Sequence, residues 1–377
     1  MKFQTLLSEF QPRQLLPNLT AGLLIGAMDV LFCTSLAALI FSGRLSPFVA
    51  DGIGLTLFGG MALSLVIAFL SSLPGAIPVV QDSPAAIFAL AAAAIAAQMP
   101  LDAAPNQIYF TVVAAISFTT LLAGLIFLAI ARFGLSNFVR FVPYPVVGGF
   151  LAGTGWLLAQ GALGVMSGLP MHLSDLPRLF EAGMLMRWVP GAALAILLLL
   201  LLRRFNHPLL MVGLLVGGMA VFYLILWITH TSPAEAASRG LLLGPFPSQS
   251  LWRPLQPAQL AFVDWRVVLT QAGKLVTILM VSSMALLLND SALELATRKD
   301  VDLNRELFAA GIGNLLGGLG GSPVGYQTIS NSALAYRMGA ASRLTTLLVG
   351  VICGAALFFG ASLLSFFPKA VIGALLL

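Results

Sequence analysis

The sequence predicts an all-α polytopic membrane protein, an inverted seven-plus-seven transmembrane repeat whose second repeat is incomplete. Three observations carry that expectation. Hydrophobic residues fill 59% of the 377 positions and charged residues only 9%, at a mean hydropathy of +0.98, whereas a soluble domain carries about a quarter charged residues. Apolar runs close to the ~20 residues a helix needs to cross hydrocarbon recur along the whole length. Finally, "FVPYPVVGGFL" at Phe141–Leu151 aligns with "FFPKAVIGALL" at Phe366–Leu376, and each stretch opens a span. The first copy falls in the fifth span and the second in the twelfth, so the unit is seven spans, and an odd-numbered repeat must insert with opposite topology. On that plan the chain is expected to continue through the rest of the twelfth span and two more helices.

In chain order the spans are expected near 18–42, 49–72, 76–99, 108–133, 138–167, 189–205, 207–229, 267–294, 304–319, 322–339 and 343–365, with a twelfth starting at 368. Segments 169–188 and 230–264 read as external connections, with Trp188, Trp227, Trp252 and Trp265 near their edges as interfacial anchors. If residues 1–17 are cytoplasmic, the inner ends collect eleven basic residues (Lys2, Arg13, Arg132, Arg140, Arg203, Arg204, Arg298, Lys299, Arg305, Arg337 and Arg343) against seven at the outer ends. That excess favours a cytoplasmic N-terminus and a multi-pass location in the cell membrane, the inner one if bacterial.

Composition also excludes several classes of function. The net charge of +5 is spread over span ends, without the basic stripe a nucleic-acid surface requires. Cys33 and Cys353 each sit in an apolar run, and His172, His207 and His230 fall near span ends, so no disulfide framework or metal spacing emerges. No phosphate-cradling loop appears. Neither an enzyme nor a bound cofactor is expected.

The third and tenth spans are the exceptions among the helices. In "AIPVVQDSPAAIFALAAAAIAAQM", Pro78 biases its predecessor toward extended backbone, and Asp82 or Ser83 can then cap a helix carrying Pro84 in its first turn. "GGSPVGYQTISNSALAYRMG" repeats the order: Pro323, an extended piece, Thr328 or Ser330 as cap, and a short helix. Both spans should therefore be broken, with helices starting near Ser83 and Thr328 and facing each other at mid-membrane, the arrangement in which inverted-repeat carriers bind their cargo. Two such helix starts, with free N–H groups and partial positive charge, suit an anion.

These stretches resemble the SulP family of inorganic anion transporters, sulfate permease-like proteins that include bicarbonate carriers and prestin. The resemblance rests on "NLTAGLLIGA", "DSPAA", "VPYPVVGGFLAGTG" and "DLNRELFAAGIGNLLGGLGG" running into "TISNSALAYRMGAASRLT". It implies fourteen spans, a core domain that slides against a gate domain as an elevator, and a cytoplasmic regulatory domain after the last span. Carried onto this chain, the core is 18–134 and 265–365, the gate 135–230 and 366–377, and 231–264 an external loop. The chain departs from the family pattern in three places. Ser330, Asn331 and Ser332 stand where an arginine is often found, Ala285 where sodium-coupled relatives carry an acid, and the usual first-span proline is absent, with Asp29 nearby.

Taken together, Asp82, Ser83, Ala85, Gln327, Thr328, Ser330, Asn331 and Asn289 are the expected substrate-binding residues, and Asp82, Asp29 and Asp290 the candidates for coupling. Ionisable residues inside a span are functional candidates by default. The function expected is secondary transport of a small inorganic anion of sulfate or bicarbonate type, coupled to protons rather than sodium. Its partners are the bilayer and a second copy of the chain, with no nucleic acid. Two alternatives stay open: a nucleobase or carboxylate carrier of the same plan, and a non-transporting sensor or motor acting through a cytoplasmic domain.

Overall fold

The computed structural model describes residues 12–100, 102–135, 144–169, 173–205, 207, 209–246 and 251–377. The helices follow the apolar runs: α1 (Pro12–Ile40), α2 (Val49–Leu70), α3 (Asp82–Gln98), α4 (Pro105–Phe133), α5 (Tyr144–Ser167), α6 (Ala182–Arg204), α7 (Leu210–Ile228), α8 (Ala272–Thr297), α9 (Leu303–Leu319), α10 (Ile329–Arg337), α11 (Arg343–Phe359) and α12 (Lys369–Leu376). Among the described residues, six of these elements are long and apolar enough to cross a membrane, and α3 and α11 are shorter apolar helices. Lys2, Arg140, His172 and the opening Phe141–Pro143 of the first repeat copy lie outside the described residues.

Small residues decide which helices meet. A Cβ on Gly124 of α4 would stand 2.8 Å from the carbonyl oxygen of Gly311 of α9, and one on Gly311 would stand 3.0 Å from the Gly124 carbonyl. The two backbones therefore touch directly, the contact that small residues permit where lipid offers no hydrophobic drive to association. α9 packs also on α2, and α11 lies across α1 and α2. α12 packs against α5, α6 and α1, while α8 packs against α3, α4 and α10. Helices α6 and α7 bury few of their apolar side chains and leave about half exposed, among them Ile196, Leu199, Val221 and Leu224.

Two three-residue strands stand where the third and tenth spans break. β1 (Pro78–Val80) pairs antiparallel with β2 (Gly325–Gln327), Val79 opposite Tyr326. The ladder is prolonged at both ends by Gln81 N–H to the Val324 carbonyl and Thr328 N–H to the Ile77 carbonyl, each 3.0 Å. Such irregular backbone is tolerated at membrane depth only where protein buries it, and both strands are wholly buried. The expected breaks are present, with α3 beginning at Asp82 and α10 at Ile329 after the N-cap Thr328.

One of the expected anchors makes contacts inside the fold. Trp252, read as an interfacial anchor, stacks on Phe58 at 4.5 Å between ring centroids and donates its indole N–H to the Gly320 carbonyl at 3.1 Å. Leu251 and Trp252 lie against α2, and the indole finds at the end of α9 both an apolar face and an acceptor. Trp227, by contrast, is exposed.

Candidate functional site

The strand pair is fixed from both sides by side-chain amides. Asn314 of α9 donates to the Gly325 carbonyl at 2.6 Å and accepts from the Gly325 N–H at 3.0 Å. Gln81 donates to the Tyr326 carbonyl at 2.9 Å, and the Ser332 hydroxyl accepts from the Ile77 N–H at 2.9 Å. Each bond of this kind contributes about 1 kcal/mol net, and leaving its buried partner unsatisfied costs more. The starts of α3 and α10 are thus held by a rigid cross-brace.

Both helix starts open on one cavity of about 760 Å³. Gln81 and Asp82 line it from the first, and Thr328, Ile329, Ser330 and Asn331 from the second. Neither N-cap side chain, Gln81 or Thr328, closes its helix end with a hydrogen bond. Asp82 takes the first helical position, where its carboxylate accepts from the Ser83 N–H at 2.7 Å and the Ser83 hydroxyl at 3.2 Å. Thr328 and Ser330 hydroxyls lie 3.1 Å apart. The opposite wall comes from α6, α7 and α12: Leu202, Met211, Leu215 and Leu375, together with Phe205 and His207 of the connection between α6 and α7. Polar groups therefore gather on one side of the cavity, and the other is almost wholly apolar.

Of the residues singled out from sequence, Asp82, Thr328, Ser330 and Asn331 meet in this cavity. Ser83 serves Asp82, and Ala85 is buried one turn behind it. Asn289 is half-buried on α8, away from the cavity wall. Gln327 is buried, donating its amide to Glu306 at 2.6 Å. Asp29 is buried between α1 and α11, accepting from the Cys353 thiol at 3.3 Å. Asp290 is buried on α8, and neither carboxylate oxygen has a partner.

Sequence reading passed over Glu306. It stands in the first turn of α9 after the N-cap Asp302, yet it is buried. Its Oε1 accepts from the Ser71 hydroxyl at 2.9 Å and from the Ser72 N–H and hydroxyl at 2.6 Å each. Arg337 and His207, read only as span-end residues, also line the cavity. The signal for Glu306 was a lone acid one turn inside an apolar run, and for Arg337 its place one helical repeat beyond Ser330.

A model of the sulfate permease family matches residues 15–377 of this sequence. The chain belongs to that family. The vacuolar basic amino acid transporter VSB1 of Saccharomyces cerevisiae is 25% identical over 292 residues, 75% of this chain and 28% of that protein. The bicarbonate transporter BicA of Picosynechococcus is 24% identical over 349 residues, 86% of this chain and 56% of that protein. The chain thus spans about a quarter and about half the length of these two curated relatives. Among solved structures, the transmembrane domain of a cyanobacterial BicA superposes with a TM-score of 0.69 at 19% identity, covering 95% of this chain and 87% of that one. The murine Slc26a9 anion transporter in its inward-facing state gives 0.72 at 17% identity, covering 98% and 61%. The fold is therefore the all-α polytopic membrane fold of that family, and its members are transporters, not enzymes.

Proposed function

We propose that this chain forms the transport pathway of a secondary carrier for a small inorganic anion of the sulfate or bicarbonate type. The observation that carries the reading is the pair of helix starts opening on one cavity. Each presents the positive end of a helix dipole, which favours an anion; the α10 start, where the Thr328 side chain makes no cap bond, adds first-turn N–H groups and the hydroxyls of Thr328 and Ser330. Family membership and the bicarbonate carrier among its relatives support the same substrate class.

The two-sided cavity supports elevator motion. The polar wall belongs to the proposed core, 18–134 and 265–365, and the apolar wall to the proposed gate, 135–230 and 366–377. An anion held by the core alone can travel with it, because the Leu202, Met211 and Leu215 surface makes no directional bonds that sliding would have to break. Coupling to protons rather than sodium follows from Ala285, which offers no oxygen to a hard cation. The location proposed is the cell membrane, with the N-terminus cytoplasmic.

A second reading has a specific observation behind it. Asp82 brings a carboxylate to the cavity wall, and one matched relative carries basic amino acids, so an amine-bearing substrate would find a counter-charge there. Uptake by the protein in liposomes separates the two. Labelled sulfate or bicarbonate should accumulate and labelled arginine should not; arginine uptake without anion uptake would replace the first reading by the second.

A further inference from the structure

Three buried side chains that do not line the cavity sit together with more acceptors than donors: Asp290 of α8, Glu306 of α9 and Gln327 of β2. Glu306 receives four donors, three on Oε1 from Ser71 and Ser72 and one on Oε2 from the Gln327 amide. Asp290 is the reverse case, since neither of its oxygens has a donor, and the Gln327 carbonyl oxygen is likewise without a partner. α8, which carries Asp290, packs against both α9 and β2, the elements that carry Glu306 and Gln327. Of the other ionisable groups on the elements around it, Tyr326 of β2 and Tyr336 of α10 are phenols, Asp82 of α3 and Arg337 of α10 belong to the cavity wall, Lys274 and Glu294 stand further along α8, and Arg305 of α9 donates to the Leu70 carbonyl.

An ionised carboxylate in a dry interior with no donor is expensive enough that such a group takes up a proton instead. Two carboxylates that share such a place do not both ionise. A metal cation does not suit these atoms. Hard cations take about six or more oxygen ligands, three oxygens are free here, and among the described residues no group of three or more His, Cys, Asp or Glu could hold a metal. Of the three candidate coupling acids, Asp82 is served by Ser83 and Asp29 by a thiol. Asp290 alone of the three lacks a donor.

We propose that Asp290 and Glu306 form a binding site for one proton, carried on Asp290, through which a proton gradient acts on the substrate cavity. Gln327 is the link. Its amide holds Glu306, and the next residue, Thr328, lines the cavity at the start of α10. When Asp290 gives up its proton, two like charges face each other beside Gln327, and the brace that sets α10 must adjust. Because the charge appears on the core, the proton and the anion travel in the same moving unit. This coupling role rests on the transport reading above, whereas the proton site itself does not.

The test is therefore spectroscopic first. Infrared spectra of the protein in lipid at neutral pH should show the carbonyl stretch of a protonated carboxylic acid in a dry setting. Asp290→Asn should remove intensity from that band, and Glu306→Gln should leave it. A wild-type spectrum without the band overturns the proposal with no variant needed, and so does an Asp290→Asn spectrum equal to wild type. In liposomes, Asp290→Asn should keep anion counterflow but lose its stimulation by an inward proton gradient. Persisting stimulation in that variant would refute the coupling role, while absence of any anion flux in wild type would refute the transport reading and leave the infrared result standing.

Discussion

Replacing Gly325 by alanine strikes the brace that positions both helix starts. The added Cβ would lie 2.3 Å from Leu63 Cδ1, 2.7 Å from the Val79 carbonyl oxygen and 3.2 Å from Val80 Cα. Ordinary carbon contacts lie at about 3.5–4.0 Å, so Leu63 would have to retreat by more than about 1 Å. Even if Leu63 turned aside, the Val79 carbonyl at 2.7 Å is backbone of the paired strand and cannot. The strands must therefore part, which also pulls Gly325 from both of its Asn314 bonds. Overpacking of this kind costs about 1–3 kcal/mol, and a buried amide left without partners costs about 1–3 kcal/mol more. Gly155→Ala on α5 is the control: nothing lies within 4 Å of its Cβ, and alanine there gains up to about 1 kcal/mol of helix propensity. Thermal melting of the purified proteins should place Gly325→Ala well below wild type and Gly155→Ala level with it or above, and uptake should fall with Gly325→Ala alone. If the two variants melt together, the brace does not constrain the fold as described.

Three further outcomes are expected. Glu306→Ala strands the two serines and the Gln327 amide that Glu306 now accepts from. It should lower stability by about 3 kcal/mol or more, seen as a large drop in melting temperature, whereas a melt like wild type would mean those bonds are replaced by water. Asn331→Arg puts a fixed positive charge on the cavity wall and should tighten the apparent affinity for a divalent anion at least several-fold at low salt, with the gain shrinking as salt is added; an unchanged affinity would remove Asn331 from the anion's path. Uptake measured at fixed pH should respond weakly to a sodium gradient, and strong sodium stimulation would refute the inference drawn from Ala285.

How much the sequence disclosed follows the range of the interactions involved. Span positions, the two breaks and the cap at Thr328 depend on apolar runs, prolines and hydroxyls that act within a few residues. They were legible, and α3 and α10 begin within a residue of where Ser83 and Thr328 placed them. The pairing of Val79 with Tyr326 joins segments about 250 positions apart, and no local pattern encodes that register. Glu306 was missed for the same reason, since its burial is created by Ser71 and Ser72 at the far end of α2. The contacts of Trp252 with Phe58 and Gly320 were not legible for the same reason, since both partners are distant in sequence. The cavity's apolar wall could not be foreseen either, as one leucine on α6 or α7 looks like another until the fold chooses which ones face inward.

Chemical labelling of Ser330→Cys tests the central claim most directly. Ser330 is exposed at the start of α10 and lines the cavity, while the native Cys33 and Cys353 are buried, so a water-soluble thiol reagent should report on the new site with little background. Sulfate or bicarbonate at saturating concentration should slow the labelling, and arginine at the same concentration should not. If no anion protects the cysteine, or if arginine protects it in their place, the two helix starts do not form an anion site.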